Sequence, residues 1–181
     1  MKIAAGFLLF LFLGFFVYYS NLRENLFASR KARFGVPAPG PVEARPKTYD
    51  FIISQTPPVK LSHFQNRVVY LNFWASWCEP CRREFPLIEK LKQEMGDRLQ
   101  VILINLDTPE ALAEAKQFQI ENVPSAVTIY QGQELQKLFN VEVLPFHVVV
   151  DKQGRTAAAF YASLIEEEKP FRSLLLNLSL E

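Results

Sequence analysis

Apolar positions change their period along this chain, and each change marks an element. Val68 to Phe73 is a continuous run of β-branched, aromatic and leucine side chains broken only by Asn72, which predicts a buried strand. Immediately after it, Phe85, Leu87, Ile88 and Leu91 recur at helical spacing among charged residues. They predict an amphipathic helix from about Cys78 to Met95, stopped at Gly96. Leu99 to Leu106 is a second continuous apolar run and reads as another interior strand. Thr108 with Pro109 opens a helix to about Gln119. Ala126 to Tyr130 and Phe146 to Val150 read as strands, with turns at Gln131-Gly132 and Lys152-Gln153-Gly154. Thr156 to Tyr161 then returns as an antiparallel edge. Ser163 to Glu166 has capping-box spacing, and Phe171, Leu174, Leu175 and Leu178 form a helical face able to cover a sheet. Ahead of all this, Tyr49 to Ile53 and Val59 to Leu61 read as short strands around Thr56-Pro57-Pro58. Strand–helix alternation of this kind predicts an α/β fold with right-handed crossovers.

The first forty-eight residues follow a different pattern. Ile3 to Tyr19 is apolar or aromatic throughout apart from two glycines, which is long for a signal-peptide core and short for a spanning helix. No convincing small-residue cleavage site follows it. Residues 1–20 are therefore expected to be an uncleaved signal anchor, with a cleaved signal peptide as the competing reading. Arg23, Arg30, Lys31 and Arg33 follow the segment, and charge bias alone would place the rest of the chain in the cytoplasm. Prolines at 37, 39, 41 and 46 give residues 21–48 the character of a semi-rigid tether. The folded domain is expected over residues 49–181.

Composition adds limits. The chain has 181 residues, 49% hydrophobic and 13% aromatic, with sixteen Phe, which is enough for one domain with a proper core. A net charge of +1 offers no nucleic-acid footprint, and no nucleic-acid partner is expected. The only two cysteines, Cys78 and Cys81, are spaced C-x-x-C. A bridge between them would close a tiny loop and remove little unfolded-state entropy, so chemistry is the better reading than scaffolding.

Their position supports that. Trp74-Ala75-Ser76-Trp77-Cys78-Glu79-Pro80-Cys81 lies where a central strand hands over to a helix. Free N–H groups and the helix dipole there favour a thiolate, and Pro80 sits where no N–H is needed. Cys78, first at the helix start, is the expected nucleophile, and Cys81 the resolving thiol. Glu79 between them should oppose thiolate formation. A zinc half-site would need further ligands, and His63 and His147 lack metal-motif spacing, so no metal is expected. Trp74 reads as core, Trp77 as a partly exposed platform for partners. Arg82 and Arg83 read as solvated helix-surface charges. His147 shares a strand face with Pro145, and a satisfied or surface histidine is the simplest reading.

The segment Asn72 to Pro86, with Cys-Glu-Pro-Cys followed by Glu-Phe-Pro, resembles the active-site region of membrane-anchored thioredoxin-like proteins. More narrowly it is similar to the ResA/TlpA group within the AhpC/TSA-Redoxin-like thioredoxin superfamily. The resemblance runs from about Phe51 to the C-terminus and is strongest around the cysteines. It implies a thioredoxin fold: a central mixed β-sheet flanked by helices, with an N-terminal hairpin and an α/β insertion. It also implies that Glu84 is an acid/base group tuning the cysteines. Ordinary thioredoxins carry a buried Asp where this chain has Asn72, which cannot exchange a proton. The competing reading of Glu84 is a favourable first-turn carboxylate. Pro145 matches the cis-proline of the fold, whose cis bond would bring the backbone of Leu144 against the disulfide; an ordinary trans proline at a strand start is the alternative. Leu144 stands where many relatives have Thr or a β-branched residue.

The expected function is thiol–disulfide exchange through the Cys78–Cys81 pair, with no cofactor beyond that redox-active disulfide. The resemblance implies a reductase on the periplasmic, extracytoplasmic side of the cytoplasmic membrane, against the charge bias. It further implies protein thiol and disulfide partners, with apocytochrome c among the candidates, and electrons from a membrane thiol–disulfide transporter. Peroxide reduction is disfavoured, because no Thr stands three residues before either cysteine. A copper chaperone using Cys78, Cys81 and His147 is the non-enzymatic alternative.

Overall fold

The computed structural model describes residues 33–37, 45, 47–55 and 58–181. The expected anchor over residues 1–20 lies outside them, and so does most of the expected tether. Among the described residues no helix is long and apolar enough to cross a membrane.

Strands β1 (Arg33–Phe34), β4 (Val68–Trp74), β5 (Leu99–Asn105), β6 (Val127–Ile129), β7 (Phe146–Val150) and β8 (Thr156–Tyr161) form one sheet in the order β1-β8-β7-β4-β5-β6. The β4–β5, β5–β6 and β1–β8 pairs are parallel, while β7 runs antiparallel to both β4 and β8. The sheet is therefore mixed, as expected. A separate hairpin joins β2 (Ile52–Gln55) to β3 (Pro58–Lys60). Helices are α1 (Glu79–Met95), α2 (Leu112–Asn122), α3 (Gln133–Leu138) and α4 (Glu168–Leu180).

Strand alternation sorts the core into two layers. Val68, Tyr70 and Trp74 of β4 face α1 and α4, packing with Phe85, Ile88, Leu91, Phe171, Leu174 and Leu175. Val69, Leu71 and Phe73 face the other way, against Phe51, Ile53 and Leu61 of the hairpin region and Leu135 and Phe139 of the insertion. Both faces of β4 and β5 are covered, which is why their sequences read as unbroken apolar runs. The α4 face Phe171, Leu174, Leu175, Leu178 is buried as its spacing predicts.

Four details differ from the sequence reading. The residues after Thr108 begin as a short 3-10 turn, Pro109–Ala111, before α2, and Thr108 makes no side-chain cap. The Ser163 carbonyl, rather than its hydroxyl, receives the N–H groups of Glu166 and Glu167, and α4 starts only at Glu168. The segment after Gln131-Gly132 forms α3, and Gly132 is required there because a Cβ would lie 2.3 Å from Ile104 Cγ2. Finally, part of the proline-rich stretch belongs to the domain. Arg33–Phe34 pairs with β8, and Arg45 is 8% exposed, bonded to Asp151 (3.0 Å) and Glu181 (2.6 and 2.8 Å). A two-residue strand needs only backbone, and Arg45 needs partners more than a hundred residues away, so neither shows in local composition.

Candidate active site

The carboxyl end of β4 is where the chemistry gathers. The chain leaves the strand at Trp74, which is fully buried against Phe85. It turns through Ala75–Ser76–Trp77 and enters α1 with Cys78 as the N-cap residue. Cys78 Sγ accepts the Cys81 N–H at 3.3 Å, doing what a Ser or Asp cap does elsewhere. The two cysteines are disulfide-bonded with Cα atoms 5.3 Å apart. Cys81 is wholly buried and Cys78 4% exposed, so the N-terminal sulfur is the one nearer solvent. Glu79 and Pro80 are exposed beside it, and Trp77 is 72% exposed.

A buried carboxylate pins this loop. Asp107, just past β5, accepts from the Ser76 N–H (2.7 Å), the Ser76 hydroxyl (2.9 Å) and Asn105 Nδ2 (2.6 Å). All three residues are buried. This clamp escaped the sequence reading, although a polar Asn-Leu-Asp closing a parallel strand was a usable signal, since strand carboxyl ends carry sites in α/β sheets. Arg82 is also more than a solvated charge: its guanidinium lies over the Phe118 ring at 4.4 Å and reaches Glu114 at 3.9 Å.

Leu144–Pro145 is a cis peptide, as expected, with Pro145 buried and Leu144 half-buried at the entrance to β7. Two residues on, His147 is fully buried. Its Nε2–H donates to the Ala162 carbonyl at 3.0 Å, which leaves Nδ1 to accept the Tyr70 hydroxyl at 2.8 Å. Asn72 Nδ2 in turn donates to Tyr70 Oη at 3.1 Å. With both ring nitrogens committed, His147 has no lone pair for a metal. That removes the third ligand the copper-chaperone alternative requires. Burial pushes its pKa down to about 4, so the ring is neutral at pH 7.

Glu84 is the second titratable group of this layer. It sits one turn beyond Cys81 on the buried face of α1 and has no solvent exposure. Oε1 accepts the Leu164 N–H at 2.8 Å, while Oε2 has no partner and lies 3.9 Å from His147 Nε2. Burial drives its pKa up to about 8, against the smaller downward pull of the Leu164 hydrogen bond. The first-turn carboxylate reading is therefore set aside, because such a group would sit in water near the dipole. Asn72 belongs to the same buried layer but holds a hydroxyl rather than a proton store.

Together the fold and site define a thioredoxin-fold protein with a redox-competent C-x-x-C pair on a helix N-terminus. The Redoxin family profile matches residues 48–175, and the chain belongs to that family. A thiol-disulfide oxidoreductase ResA from Bacillus thuringiensis subsp. konkukian is 33% identical over 98 residues, covering 54% of this chain and 56% of that protein. The chain thus matches a little over half the length of these ResA relatives. Among solved structures, a secreted thiol-disulfide isomerase from Corynebacterium glutamicum has a TM-score of 0.62 at 27% identity, covering 83% of this chain and 99% of the other. A DsbF homologue from Corynebacterium diphtheriae superposes with a TM-score of 0.64 at 24% identity, covering 81% and 99%, and supports the fold.

Proposed function

We propose that this protein is a thiol–disulfide oxidoreductase that exchanges its Cys78–Cys81 dithiol with disulfides of partner proteins, acting as a reductase. The observation that carries this reading is a disulfide at a helix N-terminus with a protonatable, solvent-free carboxyl one turn below it. In the reduced protein, the Cys78 thiolate attacks one sulfur of the partner disulfide and releases the other as a thiolate, which takes a proton. Cys81 then gives its proton to the ionised fraction of Glu84 and attacks Cys78 Sγ, expelling the second partner sulfur as a thiolate, which takes a proton from solvent. Two electrons pass to the partner, and the Cys78–Cys81 bond is restored. Glu84, Cys78 and Cys81 are the catalytic groups. Cis-Pro145 and the Leu144 backbone offer an edge for an extended partner segment, and exposed Trp77 a surface for it.

The finer reading extends to location and partners. An apolar segment at residues 3–19 would anchor the chain in the cytoplasmic membrane with the domain on the extracytoplasmic side. The ResA likeness supports service to apocytochrome c before haem attachment, with a membrane thiol–disulfide transporter as electron source. Equilibration against glutathione tests the direction. A potential near or below thioredoxin's, about −270 mV, is expected, and a value near DsbA's, about −120 mV, would make the protein an oxidant.

A further inference from the structure

Two buried titratable side chains grip the same short loop. His147 from β7 holds the Ala162 carbonyl at 3.0 Å, and Glu84 from α1 holds the Leu164 N–H at 2.8 Å. Only Ser163 separates the two anchor points. The histidine ring is itself fixed from behind, because Tyr70 donates to its Nδ1 and the ring packs at 6.0 Å from Tyr70 and 5.0 Å from Phe160. The Ala162 carbonyl, which can only accept, dictates the Nε2–H tautomer and leaves Nδ1 to accept from Tyr70. The ring does not reach Glu84 directly, since 3.9 Å is too long for a hydrogen bond.

We propose that His147 is a positioning residue for the dithiol chemistry: it holds the Ala162–Leu164 loop so that the Leu164 N–H fixes one oxygen of Glu84 and leaves the other free to carry the proton. The proposal deepens the thiol–disulfide reading of the same site and rests on it. Among the described residues the Leu164 N–H makes the one hydrogen bond that orients the Glu84 carboxyl, and its Oε2 has no partner. The titratable groups facing Glu84 in this disulfide form are Tyr70 from β4 and His147 from β7, while Cys81 on its own helix is held in the disulfide. Across from them, α4 presents Phe171 and β8 presents Phe160, both apolar.

The test separates the far nitrogen of the ring from its bulk. His147→Gln keeps an amide N–H near the Nε2 position, able to reach Ala162. His147→Asn is shorter and loses that donor while keeping a polar group near Nδ1 for Tyr70. In the oxidised full chain, two signals are read by NMR: hydrogen exchange of the Leu164 amide, and titration of the Glu84 side-chain carboxyl carbon, assigned by its loss in Glu84→Gln. His147→Gln should keep both within about twofold of the wild type. His147→Asn should speed Leu164 exchange on the order of tenfold and move the Glu84 midpoint upward, because the hydrogen bond that favours its ionised form is weakened. Gln and Asn variants that behave alike in both signals would overturn the proposal, as would an Asn variant in which Leu164 stays protected. Neither signal depends on disulfide exchange. A chain that fails to reduce partner disulfides would refute the functional reading while leaving this loop mechanism standing on its own data.

Discussion

The two ends of β7 carry buried ionisable groups, and they are built on opposite principles. At the far end, Asp151 accepts the N–H groups of Gln153 (3.0 Å) and Arg155 (2.9 Å) and the Arg45 guanidinium (3.0 Å), while Arg45 also grips Glu181. Both Asp151 oxygens are hydrogen-bonded, and its charge is matched by the Arg45 guanidinium. At the near end, Glu84 has one donor for two oxygens and a neutral histidine 3.9 Å away. Burying a carboxylate without its counter-ion is costly, so this one is held as the acid. A saturated cluster ties chain segments together. An unsaturated one can take up and release a proton, which dithiol exchange requires. Asp107 shows the same rule within the site, since three donors make it a fixed clamp for Ser76.

The sharpest way to break this contrast is to neutralise Glu84. Its native pKa of about 8 lies above its ordinary value, so between roughly pH 4.5 and 8 the folded state holds a proton the unfolded chain has released. Wild-type stability should therefore fall as pH rises through that window. Glu84→Gln escapes the loss, and its advantage in urea unfolding should grow from little at pH 5 to on the order of 4 kcal/mol at pH 8. His147 works on the acid side: with its pKa lowered to about 4, its contribution is lost as pH drops from about 6.5 towards 4. At the other end, Arg45→Ala strips the buried Asp151 of its counter-ion and should cost about 3 kcal/mol at pH 7. The exchange rate of the remaining folded molecules should not change. A rate that fell with it would mean the two ends are coupled.

Two smaller effects refine the picture around the cysteines. Ser76→Ala removes one of three donors from Asp107 and should lower stability by about 1–2 kcal/mol, read as a shift in urea midpoint. Trp77→Ala should leave stability within about 0.5 kcal/mol, because the side chain is 72% exposed. Its signature would be a raised KM for protein disulfides with little change towards a small disulfide such as oxidised glutathione.

Much of this site was legible in the sequence because it is local. The strand–helix junction, the dithiol, the inward face of α1 and the apolar face of α4 all follow from periodicity over one or two turns. Glu84 and Pro145 could be singled out by spacing and by resemblance to a family motif. What stayed hidden depends on partners far along the chain. Asp107 meets Ser76 across 31 residues, Leu164 meets Glu84 across 80, and Arg45 meets Asp151 across 106. No window holds both members of such a pair. Strand alternation puts His147 on the Pro145 face, yet its burial and its tie to Tyr70 depend on the β4–β7 register, in which Asn72 faces His147.

The central claim is that the buried Glu84 carboxyl exchanges protons with the dithiol. It is tested by the rate at which the reduced full chain reduces a protein disulfide between pH 6 and 9, for the wild type and Glu84→Gln side by side. A step centred near pH 8 in the wild type that vanishes in the variant would bear the account out. Superimposable profiles would contradict it and leave Glu84 a structural residue.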